Sequence, residues 1–256
     1  MLDFAAAVLP TGLAVVASVV GSLMGAGGGF IYAPLLILLG YSPSEAVSTS
    51  SVMVLFNSLS ASYTYYRQGR INLKKTIPLG FTTLPGSIAG AYLISSIDVS
   101  HFKLVFGAFL ILISFIVLMK LGERGDRHDV YEAKPFSAEG VRRAYLLSPL
   151  AGLLTGMFGI GGGVLLVPTF IYVAAIPTHV ATATSQLITG FSAYFAFTFL
   201  TITNRTVTIS LPLVAASGII GGQIGARISK RLRAKIIEAI VALALMIAAI
   251  NIMIKV

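Results

Sequence analysis

The stretch GAGGGFIYAP, residues 25–34, has a counterpart in GIGGGVLLVP, residues 159–168. Each reads Gly-x-Gly-Gly-Gly, four apolar residues, then Pro. Glycine and proline are the poorest helix formers, yet both copies lie inside long apolar stretches. The simplest reading is a helix that stops at the glycines and restarts after them. A break placed twice in the same way asks for one explanation that serves both.

The 256-residue chain is 56% hydrophobic and only 11% charged, where soluble domains carry about 25% charged residues. A soluble core of this length cannot hide so much apolar surface, so the composition points to a membrane protein. The chain has no cysteine, which excludes disulfides and thiolate metal sites. The net charge of +9 fits cationic loops facing the cytoplasm better than a nucleic-acid partner. The opening MLDFAAAVLP has no Lys or Arg and no small-residue cleavage site, and reads as the start of a span rather than a signal peptide.

Ten apolar segments emerge, five on each side of a polar gap. The first five are 4–24, 30–40, 44–66, 77–96 and 102–121. The second five are 143–158, 164–174, 178–200, 208–229 and 236–254. Most approach the roughly 20 residues that a spanning helix needs. Segments 30–40 and 164–174 are about 17 Å long at 1.5 Å per residue and suit half-helices. The expected organisation is a first transmembrane repeat (1–121), a cytoplasmic linker (122–142) and a second repeat (143–256). A shift of 134 residues brings Gly29 onto Gly163, Pro34 onto Pro168, Pro43 onto Pro177, Ser51 onto Ser185 and Pro78 onto Pro212. Small-xxx-small pairs recur as well: Gly21/Gly25 against Gly152/Gly156, and Gly86/Gly90 against Gly221/Gly225. Such pairs let helix backbones approach closely in lipid, and they leave room for a homodimer.

Loop charge sets the orientation. RQGRINLKK, residues 67–75, and the linker are rich in Lys and Arg and should face the cytoplasm. In the second half the basic loop is RISKRLRAK, residues 227–235, which follows a different segment. Equivalent loops therefore lie on opposite faces. The expectation is an all-α polytopic fold of two inverted-topology repeats in the cell inner membrane, with both termini outside. Loop charge leaves open whether the first two segments of each half both cross or form a re-entrant hairpin.

Inverted repeats with broken helices mark secondary transporters, whose substrate site lies near the midplane at the repeat interface. Broken backbone is tolerated at that depth only where it is buried in protein or lines a cavity. Helices restarting after Gly25, Gly27, Gly28 and Gly29, and after Gly159, Gly161, Gly162 and Gly163, would aim unpaired amides and positive dipole ends at one pocket. Two positive ends favour a small anion. The helix that follows each break adds neutral donors: Ser48, Ser50, Ser51 and Asn57 in the first half, Thr182, Thr184, Ser185 and Gln186 in the second. Such groups hold an oxyanion without trapping it.

Two residues are candidates for coupling. Glu45 follows Ser42 and Pro43 at a capping-box position, which makes a cap its simpler role. His179 sits at a helix start, where the dipole disfavours protonation. Enzyme motifs are missing. There is no HExxH, and GAGGGFIY lacks the Lys-Ser/Thr of a P-loop. No metal site, cofactor or catalytic residue is expected.

With those residues on the page, the chain resembles the sulfite exporter TauE/SafE family. The resemblance rests on residues 21–51, GSLMGAGGGFIYAPLLILLGYSPSEAVSTSS, and 152–185, GLLTGMFGIGGGVLLVPTFIYVAAIPTHVATATS. It is supported by the weaker RQGRINLKKTIPLG and GGQIGARIS. It implies export of sulfite or an organosulfonate such as sulfoacetate across the inner membrane. A passive anion channel and a non-transporting membrane scaffold are the alternatives.

Overall fold

The computed structural model describes residues 4–94, 138–173, 176–204 and 211–232, with scattered helical positions between 104 and 119 and between 236 and 250. The rest of segments 102–121 and 236–254 and most of the linker lie outside the described residues. Every regular element that is described is helical. In chain order these are α1 (Phe4–Met24), α2 (Gly29–Leu38), α3 (Pro43–Arg67), α4 (Leu73–Phe81), α5 (Leu84–Ile94), α6 (Ala138–Phe158), α7 (Gly163–Pro168), a π-helical segment (Thr169–Val173), α8 (Thr178–Asn204) and α9 (Leu211–Ser229).

Local chemistry explains most boundaries. Ser42 caps α3: its hydroxyl accepts the Glu45 amide at 3.3 Å, and its own amide donates to Glu45 Oε2 at 2.9 Å. Pro43 takes the first helical position, where no amide proton is needed. Segment 77–96 divides into α4 and α5. Pro85 has no N–H for the preceding turn, and the hydroxyls of Thr82 and Thr83 bond the carbonyls of Leu79 and Gly80 at 2.7 and 2.6 Å. Segment 164–174 is α-helical only to Pro168 and then widens to π winding. Pro168 cannot donate to the carbonyl four residues back, which loosens the i−4 ladder there. The first-half counterpart, α2, stays α-helical through Pro34 to Leu38.

The two halves of the chain interlock. The most extensive helix pairs are α3 with α9, α5 with α6, α1 with α9, and α3 with α8. Each joins a helix from before the linker to one from after it. The close crossings run through glycine. A Cβ at Gly86 or Gly90 would strike the carbonyls of Pro149 and Leu153, and one at Gly152 or Gly156 those of Thr83 and Ser87. On the other side, Gly221 meets the Ser18 side chain and Gly225 meets Ser22. Three hydroxyl bonds staple α9 to α1 and α3: Ser18 to the Gly218 carbonyl at 3.1 Å, Ser22 to Gly221 at 3.2 Å and Ser60 to Ile219 at 2.9 Å.

The interior of the bundle combines an apolar core with many buried polar side chains. Ser48, Thr49, Ser50, Ser51 and Asn57 of α3 are buried, as are Thr182, Thr184, Ser185, Gln186 and Thr189 of α8. Large apolar side chains also cover the outside, with Ile202 at 74% exposure and Leu146 at 71%. An apolar exterior of this extent matches lipid rather than water. Among the described residues, Leu73–Ile94, Thr178–Thr203 and Leu211–Ser229 are long and apolar enough to cross a membrane.

Candidate functional site

The two glycine breaks meet at the centre of the bundle. Between α1 and α2 the chain turns through Gly25 (φ 71°), Gly27 (φ 75°) and Gly28 (φ 88°). Between α6 and α7 it turns through Gly159 (φ 64°) and Gly161 (φ 70°), whereas Gly162 is right-handed at φ −52°. Left-handed backbone is strained for a residue with a Cβ, which accounts for five of these glycines. Gly29 and Gly163 are needed for a different reason. A Cβ on Gly29 would fall on the Gly159 carbonyl, and a Cβ on Gly163 on the Gly25 carbonyl. The breaks are therefore in direct backbone contact and do not face each other across an open gap.

Side chains from the two long helices lock the junction. Ser50 of α3 donates to the Gly159 carbonyl at 2.6 Å, and Ser185 of α8 donates to the Gly25 carbonyl at 2.6 Å. Each break is thus held by a serine from the opposite half of the chain. The methyls of Val54 and Thr189 seal its flanks. A Cβ at Gly27 would lie 2.6 Å from Val54 Cγ1 and 3.0 Å from Thr189 Cγ2, and one at Gly161 would lie 2.5 Å from Thr189 Cγ2. The Gly27 amide donates to the Gly21 carbonyl at 3.2 Å and is engaged within its own break. No described residue accepts from the amides of Gly28, Gly29, Gly161, Gly162 or Gly163.

Beside the junction lies a seam of buried polar side chains between α3 and α8. Asn57 Nδ2 donates to the Ser18 carbonyl at 2.7 Å, and Gln186 Nε2 donates to Asn57 Oδ1 at 2.5 Å. Six groups on the two helices are enclosed yet have no hydrogen-bond partner: the hydroxyls of Ser51, Ser62, Thr184, Thr189 and Thr201, and Gln186 Oε1. Native interiors satisfy nearly all such groups, and Ser51, Thr184, Gln186 and Thr189 lie within about one helical turn of Ser50 and Ser185, the serines that hold the two breaks. Ser48 is buried on the same helix as Ser51.

The remaining candidates have separate roles. Glu45 is the cap of α3 described above. His179 is buried at the start of α8, where its carbonyl is an acceptor for Arg70. Arg70 is the residue that the sequence reading placed only in a charged loop. It is 2% exposed, and its guanidinium donates to the His179 carbonyl through Nε at 2.9 Å and Nη2 at 2.7 Å. Nη2 also reaches the Thr182 hydroxyl at 3.1 Å, and Nη1 reaches Gln68 Oε1 at 3.0 Å and Ser229 at 3.3 Å. The cause is local. Gly69 (φ 73°) closes α3 in a Schellman turn, with Gly69 N to the Tyr66 carbonyl at 2.9 Å and Arg70 N to the Tyr65 carbonyl at 3.0 Å. That turn folds Arg70 back so that its guanidinium sits 4.4 Å from the Tyr65 ring centre. The signal in the sequence is the Gln68-Gly69-Arg70 triplet at the end of a helix. Tyr32 of α2 was also passed over; it is buried with an unpartnered hydroxyl. No group of three metal-ligating side chains occurs among the described residues.

Comparison with known proteins places the chain among membrane transporters. The chain is 28% identical over 257 residues to the probable membrane transporter protein YunE of Bacillus subtilis, covering 92% of this chain and 93% of the relative. It is 32% identical over 179 residues to the probable membrane transporter protein MJ0441 of Methanocaldococcus jannaschii, covering 66% and 63%. It is 22% identical over 218 residues to the probable membrane transporter protein YfcA of Escherichia coli, covering 84% and 78%. No solved structure matches the chain. The model of the family described as sulfite exporter TauE/SafE matches residues 11–252. The chain belongs to the sulfite exporter TauE/SafE family of membrane transporters.

Proposed function

We propose that the protein is a secondary transporter that exports a small sulfur-containing oxyanion, sulfite or an organosulfonate, across the inner membrane by alternating access. The cargo binds beside the junction of the two glycine breaks, on the seam between α3 and α8. The observation that carries this reading is that Ser51, Thr184, Gln186 and Thr189, on the two helices whose serines hold the breaks, each keep an enclosed, unpartnered polar group. Three of the four are hydroxyls able to donate to an anionic oxygen. The nearby amides of Gly28 and Gly29 open α2 and add the positive end of a helix dipole.

The family match supports the substrate class. The 134-residue register supports two inverted repeats as the moving halves, since transporters of this kind rock one repeat against the other about a central site. In the present conformation the junction is closed by backbone contact between Gly29 and Gly159 and between Gly163 and Gly25. Release then requires those contacts and the two serine bonds to part, which suits a gated carrier better than an open channel.

Purified protein in liposomes tests the reading. A carrier gives saturable sulfite or sulfonate uptake that is accelerated by the same anion loaded inside. Flux that is linear in concentration and indifferent to internal anion rejects the carrier. Failure to bind or move either anion rejects the substrate class.

A further inference from the structure

The orientation of the Gln186 amide is determined by a chain of hydrogen bonds that begins on the backbone. The Ser18 carbonyl can only accept, so the Asn57 atom 2.7 Å from it must be the NH2 group. The Ser18 hydroxyl gives its proton to the Gly218 carbonyl at 3.1 Å and so accepts from the same NH2. Asn57 Oδ1 is thereby turned towards α8, where it needs a donor, and the Gln186 atom 2.5 Å away must be its NH2. That NH2 also reaches the Ser58 hydroxyl at 3.3 Å. No flip of either amide keeps these bonds. Gln186 Oε1 consequently points away from the network, fully buried and with no donor. It lies one helical turn from Thr189, whose methyl rests against both breaks.

An orphaned acceptor in this position has a specific consequence for the cargo. Anionic oxygens are repelled by an amide oxygen and are suited to a hydroxyl such as that of Thr189, one helical turn from Gln186. A buried acceptor is satisfied only by an O–H or N–H. We propose that Gln186 is a specificity-determining residue that selects oxyanions carrying a hydrogen-bond donor of their own. This proposal rests on the anion-transport reading above. Its ligands are species such as hydrogen sulfite in its O–H form, or sulfonates with a hydroxyl or amino substituent. Oxyanions that offer only acceptors are discriminated against, because they leave Gln186 Oε1 unpaired inside the bundle.

Two probes of equal heavy-atom count isolate the effect: 2-hydroxyethanesulfonate, which has a donor, and propane-1-sulfonate, which does not. Calorimetry on the full chain in nanodiscs is expected to give about tenfold or more tighter binding of the hydroxylated probe. Gln186→Leu is expected to reduce that preference to about twofold or less. Because this variant also strips Asn57 of its donor, the wild-type probe pair stands as a test in its own right. Wild-type binding of both probes within about twofold overturns the role of Gln186 and leaves the anion reading intact. Retention of the full preference in a folded Gln186→Leu protein also overturns it. Binding of neither probe overturns the role of Gln186, and the anion reading falls with it only if sulfite fails to bind as well.

Discussion

The hydroxyl of Ser185 reaches across 160 positions of sequence to donate to the carbonyl of Gly25 at 2.6 Å. That carbonyl belongs to the first glycine break, and Ser185 belongs to the helix that follows the second. The Ser50 bond to Gly159 is its opposite number. Both acceptors are buried backbone groups that the broken helices cannot satisfy themselves. Removing either donor leaves a buried carbonyl unpaired, at about 1–3 kcal/mol. Ser185→Ala and Ser50→Ala should each lower the thermal midpoint in detergent by several degrees, read by scanning fluorimetry. An unchanged midpoint in both means that these bonds do not hold the junction.

Glycine substitutions separate steric need from backbone strain. Gly29→Ala and Gly163→Ala place a methyl on a facing carbonyl and should abolish the folded, monodisperse protein or reduce its yield severely. Gly40→Ala meets nothing within 4 Å but has φ 95°, so it should cost about 1–2 kcal/mol from strain alone. Gly12→Ala meets nothing within 4 Å in an α-helix and should be neutral or stabilising. Size-exclusion profiles of the four variants check the order.

Some of this was legible in the sequence and some was not. The glycine motifs announced the two breaks, and Ser42, Pro43 and Glu45 announced the cap of α3, because each depends on residues within a single turn. The direct contact of Gly29 with Gly159 was not legible. Nothing local tells whether two breaks face each other across a cavity or touch. The burial of Arg70 was hidden for a similar reason: three of its four acceptors come from α8 and α9, and only Gly69 hinted that the chain turns inward. The π winding after Pro168 was also missed, since Pro34 at the matching position leaves α2 regular.

Arg70 ties the end of α3 to the start of α8 and the end of α9, and its planar fork matches the His179 carbonyl with two nitrogens. Lysine offers one compact donor group and cannot reproduce that geometry. Arg70→Lys should therefore destabilise the protein by about 2–4 kcal/mol, near the cost of breaking a buried charged hydrogen-bond set. It should also expose the start of α8. The chain has no native cysteine, so a single Thr182→Cys probe can be labelled without background. Faster maleimide labelling in the Arg70→Lys background is expected; an equal rate rejects the clamp.

The unpartnered hydroxyls should show opposite effects on stability and on transport. Ser51 and Thr184 form no hydrogen bond that a substitution would break. Ser51→Ala and Thr184→Val should leave the thermal midpoint unchanged or raise it slightly, by up to about 1 kcal/mol in stability. Both should weaken anion uptake about tenfold. Loss of stability in parallel with uptake indicates a purely structural role.

Thr189→Val is the most direct test of the central claim. Valine keeps the methyl that packs on Gly27 and Gly161 and removes only the unpartnered hydroxyl. Counterflow of sulfite or 2-hydroxyethanesulfonate in proteoliposomes should fall about tenfold or more, with the thermal midpoint no lower than wild type. Wild-type counterflow from a stable Thr189→Val protein contradicts a cargo site at the junction of the two breaks.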